Sequence, residues 1–439
     1  MLPRVVIVGG GFGGLSATRA LRKAPVRVTL IDRRNYHLFR PMLYQVATGL
    51  LSADEISGPL RSIFSHQKNV DVLLDEVRGI NSEQRIVHLT RGDLAYDFLI
   101  LGTGIQYNYF GHDEWRQFAP GLESVDDADM IRTKILRAFE RAEEMASIEQ
   151  AASEQIRREL TFALVGAGTV GVEMASTLAE MSRMTLRHDF RHIDPTSARI
   201  LLYEAGDRIL PTYPENLSFK AQQHLESLGV EVHTNALVTS VDSEGIVVGG
   251  ERIYAGTVLW GAGVVASPAG QWLGAETDRS GKIIVGPDLS IPGHPEVFGI
   301  GDTAHVVAPA RNLLGVKSKT PMVMPGVAQP AIQEGEYVAD LIQRRVTGRG
   351  EPEPFWYWDK GDLAIVGRTY AVADLRLVKF AGFSAWLIWA AVHIYFLIGF
   401  ANRLFVVLQW GLDFLTKRRG VRVLPVDSRP AERFIDPAA

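Results

Sequence analysis

The chain opens with an unbroken apolar run, Val5-Val6-Ile7-Val8, that ends in glycines. Four apolar residues bounded by turn residues predict a strand buried on both faces, as in a parallel sheet. A helical pattern follows from Phe12, and a second run, Val26-Arg27-Val28-Thr29-Leu30-Ile31, closes on Asp32. The same order recurs far downstream: Phe162-Ala163-Leu164-Val165, glycines, a helical pattern, then a strand-like run from Ala198 to Tyr203 closing on Glu204. Between the two copies, Asp97–Leu101 predicts a strand ended by Gly102-Thr103-Gly104. From Asp129 to about Gln150, apolar residues at 131, 135, 136, 139 and 142 recur at helical spacing. After the second copy come strands at Val230–His233 and Thr257–Trp260, then Gly261-Ala262-Gly263, and later a strand ending in Gly299-Ile300-Gly301-Asp302.

The pattern changes near the C-terminus. The 23 positions from Phe380 to Asn402 carry no formal charge, with His393 neutral. That length could span a bilayer, which takes about 20 residues per helix. Gly382, Ser384, His393, Gly399 and Asn402 dilute the run, and the stretch from Arg403 to Lys417 is amphipathic. On a helical wheel Arg403, Gln409, Asp413, Thr416 and Lys417 gather on one side, with Leu404, Phe405, Val407, Leu408, Leu412 and Leu415 mostly elsewhere. A basic cluster, Lys417-Arg418-Arg419 with Arg422, then suits anionic headgroups. These features predict a segment that lies on a membrane rather than crossing it. At the other end, Arg4 leads directly into the first strand, so no secretory signal is expected.

Composition narrows the chemistry. The 439 residues suggest two to three domains, and 46% hydrophobic with 22% charged residues is the balance of a folded chain. A net charge of −4 leaves no global footprint for nucleic acid. There is no cysteine, which excludes disulfides, thiolate metal sites and redox dithiols. Electron chemistry would need a bound organic cofactor or a metal held by N and O ligands, and no metal site is read.

Both glycine runs have the form G-x-G-x-x-G between a strand and a helix. In such a loop the first glycine makes the tight turn and the second lets backbone approach a pyrophosphate. The third lets the helix pack closely, its N-terminus facing the phosphates. Gly9, Gly11 and Gly14 take these places in the first copy, and Gly166, Gly168 and Gly171 in the second. Asp32, 18 residues after Gly14, is placed to accept from a ribose hydroxyl. Glu204 lies 33 residues after Gly171 but likewise ends the second strand, where an acid favours NADH over NADPH; Arg208 nearby pulls the other way. Two such sites in one chain imply that one cofactor passes electrons to the other. The usual pairing is a tightly held flavin in the outer domain and an exchangeable nicotinamide in an inserted one.

Asn35-Tyr36-His37-Leu38-Phe39-Arg40-Pro41 through Tyr44–Gly49, Asn108-Tyr109-Phe110-Gly111, and Gly168–Glu173 add further motifs. So do Trp260–Val264, Ala328-Gln329-Pro330-Ala331-Ile332-Gln333, and the tail from Ala385 to Arg403. Together, over about residues 4 to 420, they resemble type II NADH dehydrogenase, the single-chain FAD-dependent NADH:quinone oxidoreductase that does not pump protons. The fold this implies is α/β. Two Rossmann-like doubly wound units are expected, FAD-binding over 1–120 and 265–365 with an NADH-binding insertion over 121–264, followed by a membrane-associating helical region over 366–439.

The resemblance also implies roles. Glu173 matches a glutamate near the nicotinamide, Gln329 and Gln333 match the A-Q-x-x-x-Q element between flavin and quinone, and Asp302 matches a flavin-contacting aspartate. Expected FAD contacts are Gly9, Gly11, Phe12, Gly13, Gly14, Asp32, Arg33, Thr48, Thr103, Gly104, Asp302, Ala328 and Gln329. Those for NADH are Gly166, Gly168, Val170, Gly171, Glu173, Glu204, Ala262 and Gly263, and those for quinone are Gln329, Gln333 and Lys379. Plainer readings stand beside these. Glu173 could sit in a helix's first turn for its dipole. Gln329 and Gln333 could be two solvated neighbours on one face. His393 could be merely packed, and Lys379 could anchor the tail to headgroups. Arg40 stands where the family commonly has glutamine, and its partner is unassigned. Disulfide reductases and sulfide:quinone oxidoreductases are excluded by the missing cysteines. A ferredoxin- or rubredoxin-type reductase is the alternative, though it has no need of the apolar tail. Attachment to the cytoplasmic face of the inner or plasma membrane is expected, and the apolar tail is compatible with a homodimer.

Overall fold

The computed structural model describes residues 2–148, 152–318, 320–416 and 420–424. Arg4–Val8 forms the central strand of the first sheet, with all four apolar residues 5% exposed or less. Arg27–Asp32 and then Val70–Leu74 pair parallel on one side of it, and Phe98–Leu101 and then His294–Gly299 on the other. The short strand Ser290–Ile291 closes the edge antiparallel. The strand from residue 294 thus returns to a sheet begun at residue 4, across everything between.

The second sheet repeats this plan. Thr161–Val165 is central, Arg199–Tyr203 and Val230–His233 lie on one side, Thr257–Trp260 on the other, and all pairs are parallel. The repeat runs further than the glycine loops. In each unit a three-stranded antiparallel meander connects the third strand to the fourth: Val77–Asn81, Ile86–Leu89 and Gly92–Ala95 in the first, Val238–Asp242, Gly245–Val248 and Glu251–Tyr254 in the second. Both meanders shift register at the same place, between Val77 and Gly79 and between Val238 and Ser240. Sequence reasoning missed them, although Gly92 (φ +137°) and Gly245 (φ +141°) mark turns that L-residues rarely adopt.

The long helix between the units is Val125–Ser147, starting four residues before the periodicity suggested. Ser124 caps it: its hydroxyl accepts from Asp127 N at 3.2 Å, and the Asp127 carboxylate accepts from Ser124 N at 2.9 Å. The five apolar positions read from the sequence are all buried. Gln150, the expected end, lies outside the described residues.

Helix Ala328–Val346 crosses helix Phe12–Ala20 closely enough that a Cβ on Gly335 would meet the Gly13 carbonyl at 2.3 Å. The chain then forms an antiparallel sheet of Asp362–Ile365, Ala371–Asp374 and Lys379–Gly382, which lies on both sides of residue 366. The charge-free run divides between the last of these strands, helix Phe383–Phe396, a break at Leu397–Gly399, and the start of helix Phe400–Thr416. No helix among the described residues is long and apolar enough to cross a membrane. In the last helix Val406 and Asp413 are buried, whereas Phe400, Leu404, Phe405, Val407, Leu408, Leu412, Phe414 and Leu415 are exposed. Its apolar side faces outward, the reverse of a helix packed on a soluble core. Lys417-Arg418-Arg419 lies outside the described residues.

Candidate functional site

Each glycine loop is built by the contacts its glycines permit. Gly9 (φ +104°) lies so close to the first sheet's fourth strand that a Cβ would meet the Gly102 carbonyl at 2.2 Å. A Cβ on Gly14 would fall 1.8 Å from the Gly9 carbonyl, so only glycine lets the helix begin there. At Gly11 a Cβ would meet nothing within 4 Å. That glycine is not required by the protein's own packing, and it opens on the side where a pyrophosphate would approach. The second loop matches: Gly166 (φ +95°) lies against Ala262, Gly171 against the Gly166 carbonyl at 1.9 Å, and Gly168 against nothing. These two open cradles fit two dinucleotides.

The acid of each unit staples its loop. Asp32 accepts from Gly10 N at 2.6 Å and from Arg34 N at 2.7 Å; Glu204 accepts from Ala167 N at 2.7 Å and from Gly206 N at 2.8 Å. A carboxylate has about four lone-pair directions, so each keeps capacity for a ribose hydroxyl. Burial raises the Asp32 carboxyl, against the lowering effect of the Gly10 and Arg34 N–H groups. Arg33 is exposed. Phe12 packs edge-on against His37 and Phe39, so at this position the helix N-terminus, not the ring, faces the loop.

The exits of the two fourth strands are stitched together. Ile105–Tyr107 pairs antiparallel with Val264–Ala266, Ser267 N donates to the Gly104 carbonyl at 3.1 Å, and Trp260 Nε1 donates to the Asn108 carbonyl at 3.1 Å. Gly104 (φ +74°) and Gly263 (φ +66°) are the matching turns. The Thr103 hydroxyl lies against that of Ser267 and 3.2 Å from that of Thr303, while Thr303 accepts from Gly104 N at 2.8 Å. Thr303 and Ser267 escaped sequence reasoning, since a lone hydroxyl residue carries no pattern. Val170 and Ala262 are half-buried at the second loop, and Thr48 is buried, its hydroxyl donating to the Tyr44 carbonyl at 2.9 Å.

Asp302 follows Gly301 at the end of the returning strand, and no donor among the described residues reaches its carboxylate. Burial raises it, and Lys282 and Arg40 oppose that rise, which gives Arg40 an electrostatic neighbour that the sequence left open. Beneath it, Glu334 is 1% exposed and accepts from Gly301 N at 2.5 Å. Burial and the nearby Asp302, opposed by the Gly301 hydrogen bond, leave its carboxyl pushed up to about 7. Ala328 and Gln329 begin the same helix, half-buried. Gln333 does not behave as a solvated neighbour: it donates to the Trp358 carbonyl at 3.1 Å and accepts from Trp358 N at 2.8 Å. Two residues on, Lys360 places its Nζ 4.9 Å from the Trp358 ring and 5.7 Å from that of Phe396. Lys379 instead opens an edge strand and is exposed. Of the two lysines, Lys360 is the one beside Gln333, and nothing in its local sequence singled it out.

Glu173 corrects an expectation. The helix begins at Thr169, so Glu173 is its fifth residue and lies beyond the first turn where dipole stabilisation acts. It is 6% exposed, and its carboxyl has no hydrogen-bond partner among the described residues. Burial pushes its pKa well above the usual carboxylate range. An unpartnered buried acid costs stability and points to a functional site. His393 is packed: its ring stacks on Trp389 at 4.1 Å, and Nδ1 bonds the Trp389 carbonyl at 2.7 Å.

Two open cradles on joined sheets define a two-dinucleotide flavoprotein fold, and residues 3–335 match the family described as pyridine nucleotide-disulphide oxidoreductase. This chain, lacking cysteine, is without that family's disulfide. Within that class the chain belongs to the type II NADH:quinone oxidoreductases. It is 43% identical over 434 residues to one such enzyme of Mycobacterium tuberculosis, covering 95% of this chain and 88% of that one. To a second from the same organism it is 44% identical over 432 residues, covering 95% and 89%. The solved structure of NDH2 from Plasmodium falciparum in complex with NADH shares the fold, with a TM-score of 0.84 at 21% identity over 95% of this chain and 99% of that one.

Proposed function

We propose that this chain is an FAD-dependent NADH:quinone oxidoreductase that conserves no energy by proton pumping. The observation that carries the reading is the pair of open cradles whose fourth strands are stitched by the ribbon 105–107/264–266. When bound, FAD supplies the redox chemistry, accepting hydride from NADH and releasing two electrons to a quinone. The chain's own task is to bind and orient. Gly11 and the N-terminus of helix 12–20 receive the FAD pyrophosphate, and Asp32 receives its ribose. Asp302 takes a hydroxyl of the ribityl chain, and Thr48, Thr103, Gly104 and Ala328 line the remainder of the flavin. Gly168, Val170 and the helix from Thr169 receive NADH, Glu204 favours its free 2′-hydroxyl, and Glu173 with Ala262 and Gly263 borders the nicotinamide. Gln329, whose amide has no partner among the described residues, faces the quinone. Gln333 fixes the Trp358–Lys360 segment beside it.

In this reading 1–120 with 265–365 form the FAD unit and 121–264 the NADH insertion. The region 366–439 lies on the membrane's cytoplasmic face, with the outward apolar side of helix 400–416 in the lipid. The test is a steady-state comparison of NADH with NADPH across a quinone panel, with the extracted flavin identified. NADH-driven bleaching of FAD followed by quinone reoxidation is expected. Electron delivery to ferredoxin or rubredoxin but not to quinone would favour the ferredoxin-type reductase instead.

A further inference from the structure

Between Asp302 and Glu334 the sequence carries no acid, and its charged residues are Arg311, Lys317 and Lys319, a local excess of positive charge in a chain of net charge −4. Lys319 lies outside the described residues. The segment folds as a small ribbon. Val307–Ala308 pairs antiparallel with Met322–Val323, and Ala310–Arg311 pairs parallel with Tyr357–Trp358 from beyond helix 328–346. Strand residues alternate between faces. The inner face, with Ala308, Ala310, Met324 and Tyr357, is buried in the core of the first nucleotide-binding unit. The outer face is apolar as well, yet Val307, Val323, Trp356 and Trp358 are all exposed.

At the tip the usual polarity of a turn is reversed. The Asn312 side chain folds back on the turn, its Oδ1 accepting from Leu314 N and Val316 N, each at 3.0 Å, and Gly315 (φ +78°) closes it. Leu313, Leu314 and Val316 are left pointing out, Leu314 with 74% of its surface exposed. An ordered apolar patch of this kind marks an interaction surface. Each tryptophan beside it carries a cation: Arg311 Cζ lies 4.1 Å from the Trp356 ring, and Lys360 Nζ 4.9 Å from that of Trp358. Tryptophan next to a long basic side chain suits the headgroup level of a bilayer. The patch also runs on into the outward apolar side of the tail. The same Lys360 ammonium lies 5.7 Å from the Phe396 ring, and Phe396 leads through the break at Leu397–Gly399 to the exposed Phe400.

We propose that this ribbon is a second membrane contact, its tip Leu313-Leu314-Gly315-Val316 inserted into an anionic bilayer, with Arg311 and Lys317 at the phosphates. The inference rests on the membrane reading of helix 400–416 and adds a separate surface to it. Helix 328–346 starts between the two contacts: Gln333 is bonded to Trp358, and Ile332 shares a cavity wall with Phe396. A single helix in the lipid leaves the body free to rock about that helix's axis. A second contact fixes the tilt and holds the Gln329 end of helix 328–346 towards the lipid.

The chain has no cysteine, so Leu314→Cys in the full-chain holoenzyme can be labelled at that position alone with the NBD fluorophore. On vesicles of equimolar phosphatidylcholine and phosphatidylglycerol its emission should shift to the blue and rise severalfold. The same label on Leu2→Cys, at the far end of strand 4–8, should not respond. In flotation, Leu313→Asp combined with Leu314→Asp should weaken binding about tenfold or more, the size of one buried leucine's contribution. FAD content and NADH:ferricyanide turnover should stay unchanged. Lys317→Gln should weaken binding to the anionic vesicles about fivefold, as loss of one basic side chain at such a surface does, and leave binding to phosphatidylcholine alone unaltered. Protein that floats while the label at position 314 keeps its aqueous emission would overturn the ribbon contact and leave attachment by the last helix standing. A blue shift that appears without lipid and grows with protein concentration would make this face a contact between two copies and overturn the lipid assignment. No flotation of the wild-type protein would overturn both readings.

Discussion

The two nucleotide-binding units are near copies in backbone and differ in what is laid over them. Each has the strand order of a parallel four-stranded kernel, a meander before its fourth strand, an open middle glycine, and an acid that staples the loop. Over the first unit lies helix 328–346, packed against Gly13 through Gly335 and carrying the buried Glu334 under the Gly301–Asp302 turn. The second unit has Val170 where the first has Gly13, and Glu173 where it has Ser16. A cradle whose helix is backed by a second helix suits a cofactor that stays. One without that backing, with an uncompensated acid beside it, suits a cofactor that comes and goes. The same local fold thus serves retention or exchange according to its surroundings.

The largest effects should come from positions that the two units share. Gly14→Ala or Gly171→Ala drives a methyl into a carbonyl less than 2 Å away. Each should cost about 3 kcal/mol or more, seen as lost soluble yield or a collapsed Tm. Equal damage would confirm that the cradles are structurally equivalent.

Next come substitutions that should separate the units. A Cβ at Gly11 would meet nothing within 4 Å, so Gly11→Val should leave a folded chain without FAD, read from visible absorbance. Gly168→Val should retain FAD and lose NADH-dependent bleaching. If Gly168→Val also lost its FAD, or if Gly11→Val no longer bound NADH in an equilibrium titration, the assignment of one cofactor to each cradle would fail.

Glu173→Gln keeps the shape and removes the titratable group. The NADH-to-flavin half-reaction should slow by about tenfold or more in stopped flow, a size typical for loss of a positioned acid–base group. A change in thermal stability alone would return Glu173 to a structural role.

Glu334 gives a pH signature that belongs to the first unit. Its native pKa of about 7 stands above its ordinary 4.5, so the unfolded chain releases this proton first. Stability should therefore fall as pH rises from about 4.5 to 7, by about 3 kcal/mol in all, and then level off. Glu334→Gln should flatten this part of the curve of denaturation midpoint against pH. The smallest effect is expected from Glu204→Gln, which should relax discrimination against NADPH a few-fold in kcat/KM. It still leaves one oxygen to accept from Ala167 N.

Much of this molecule follows from local sequence. Buried parallel strands read as short, mostly apolar runs bounded by turn residues, so seven of the parallel strands are visible within a residue of their bounds. Gly14 and Gly171 have a steric cause within their own loops, and the acids lie at strand ends. The start of helix 125–147 was missed because a capping box depends on one polar pair rather than on periodicity. The absence of cysteine alone removed whole classes of redox chemistry.

What only tertiary structure decided is which groups are left without partners. Glu173 reads as a first-turn acid until the helix start and its burial are known. Gln333 reads as a solvated amide until Trp358, 25 residues away, takes both its donor and its acceptor. Lys360 and Glu334 have no sequence signature because their surroundings come from distant segments. The last helix is amphipathic by sequence, but only packing shows that Asp413 turns inward to Arg368, at 2.9 Å, and the leucines turn outward. Periodicity reports that a helix has two faces. Which one meets solvent, lipid or protein is set by what the rest of the chain places beside it.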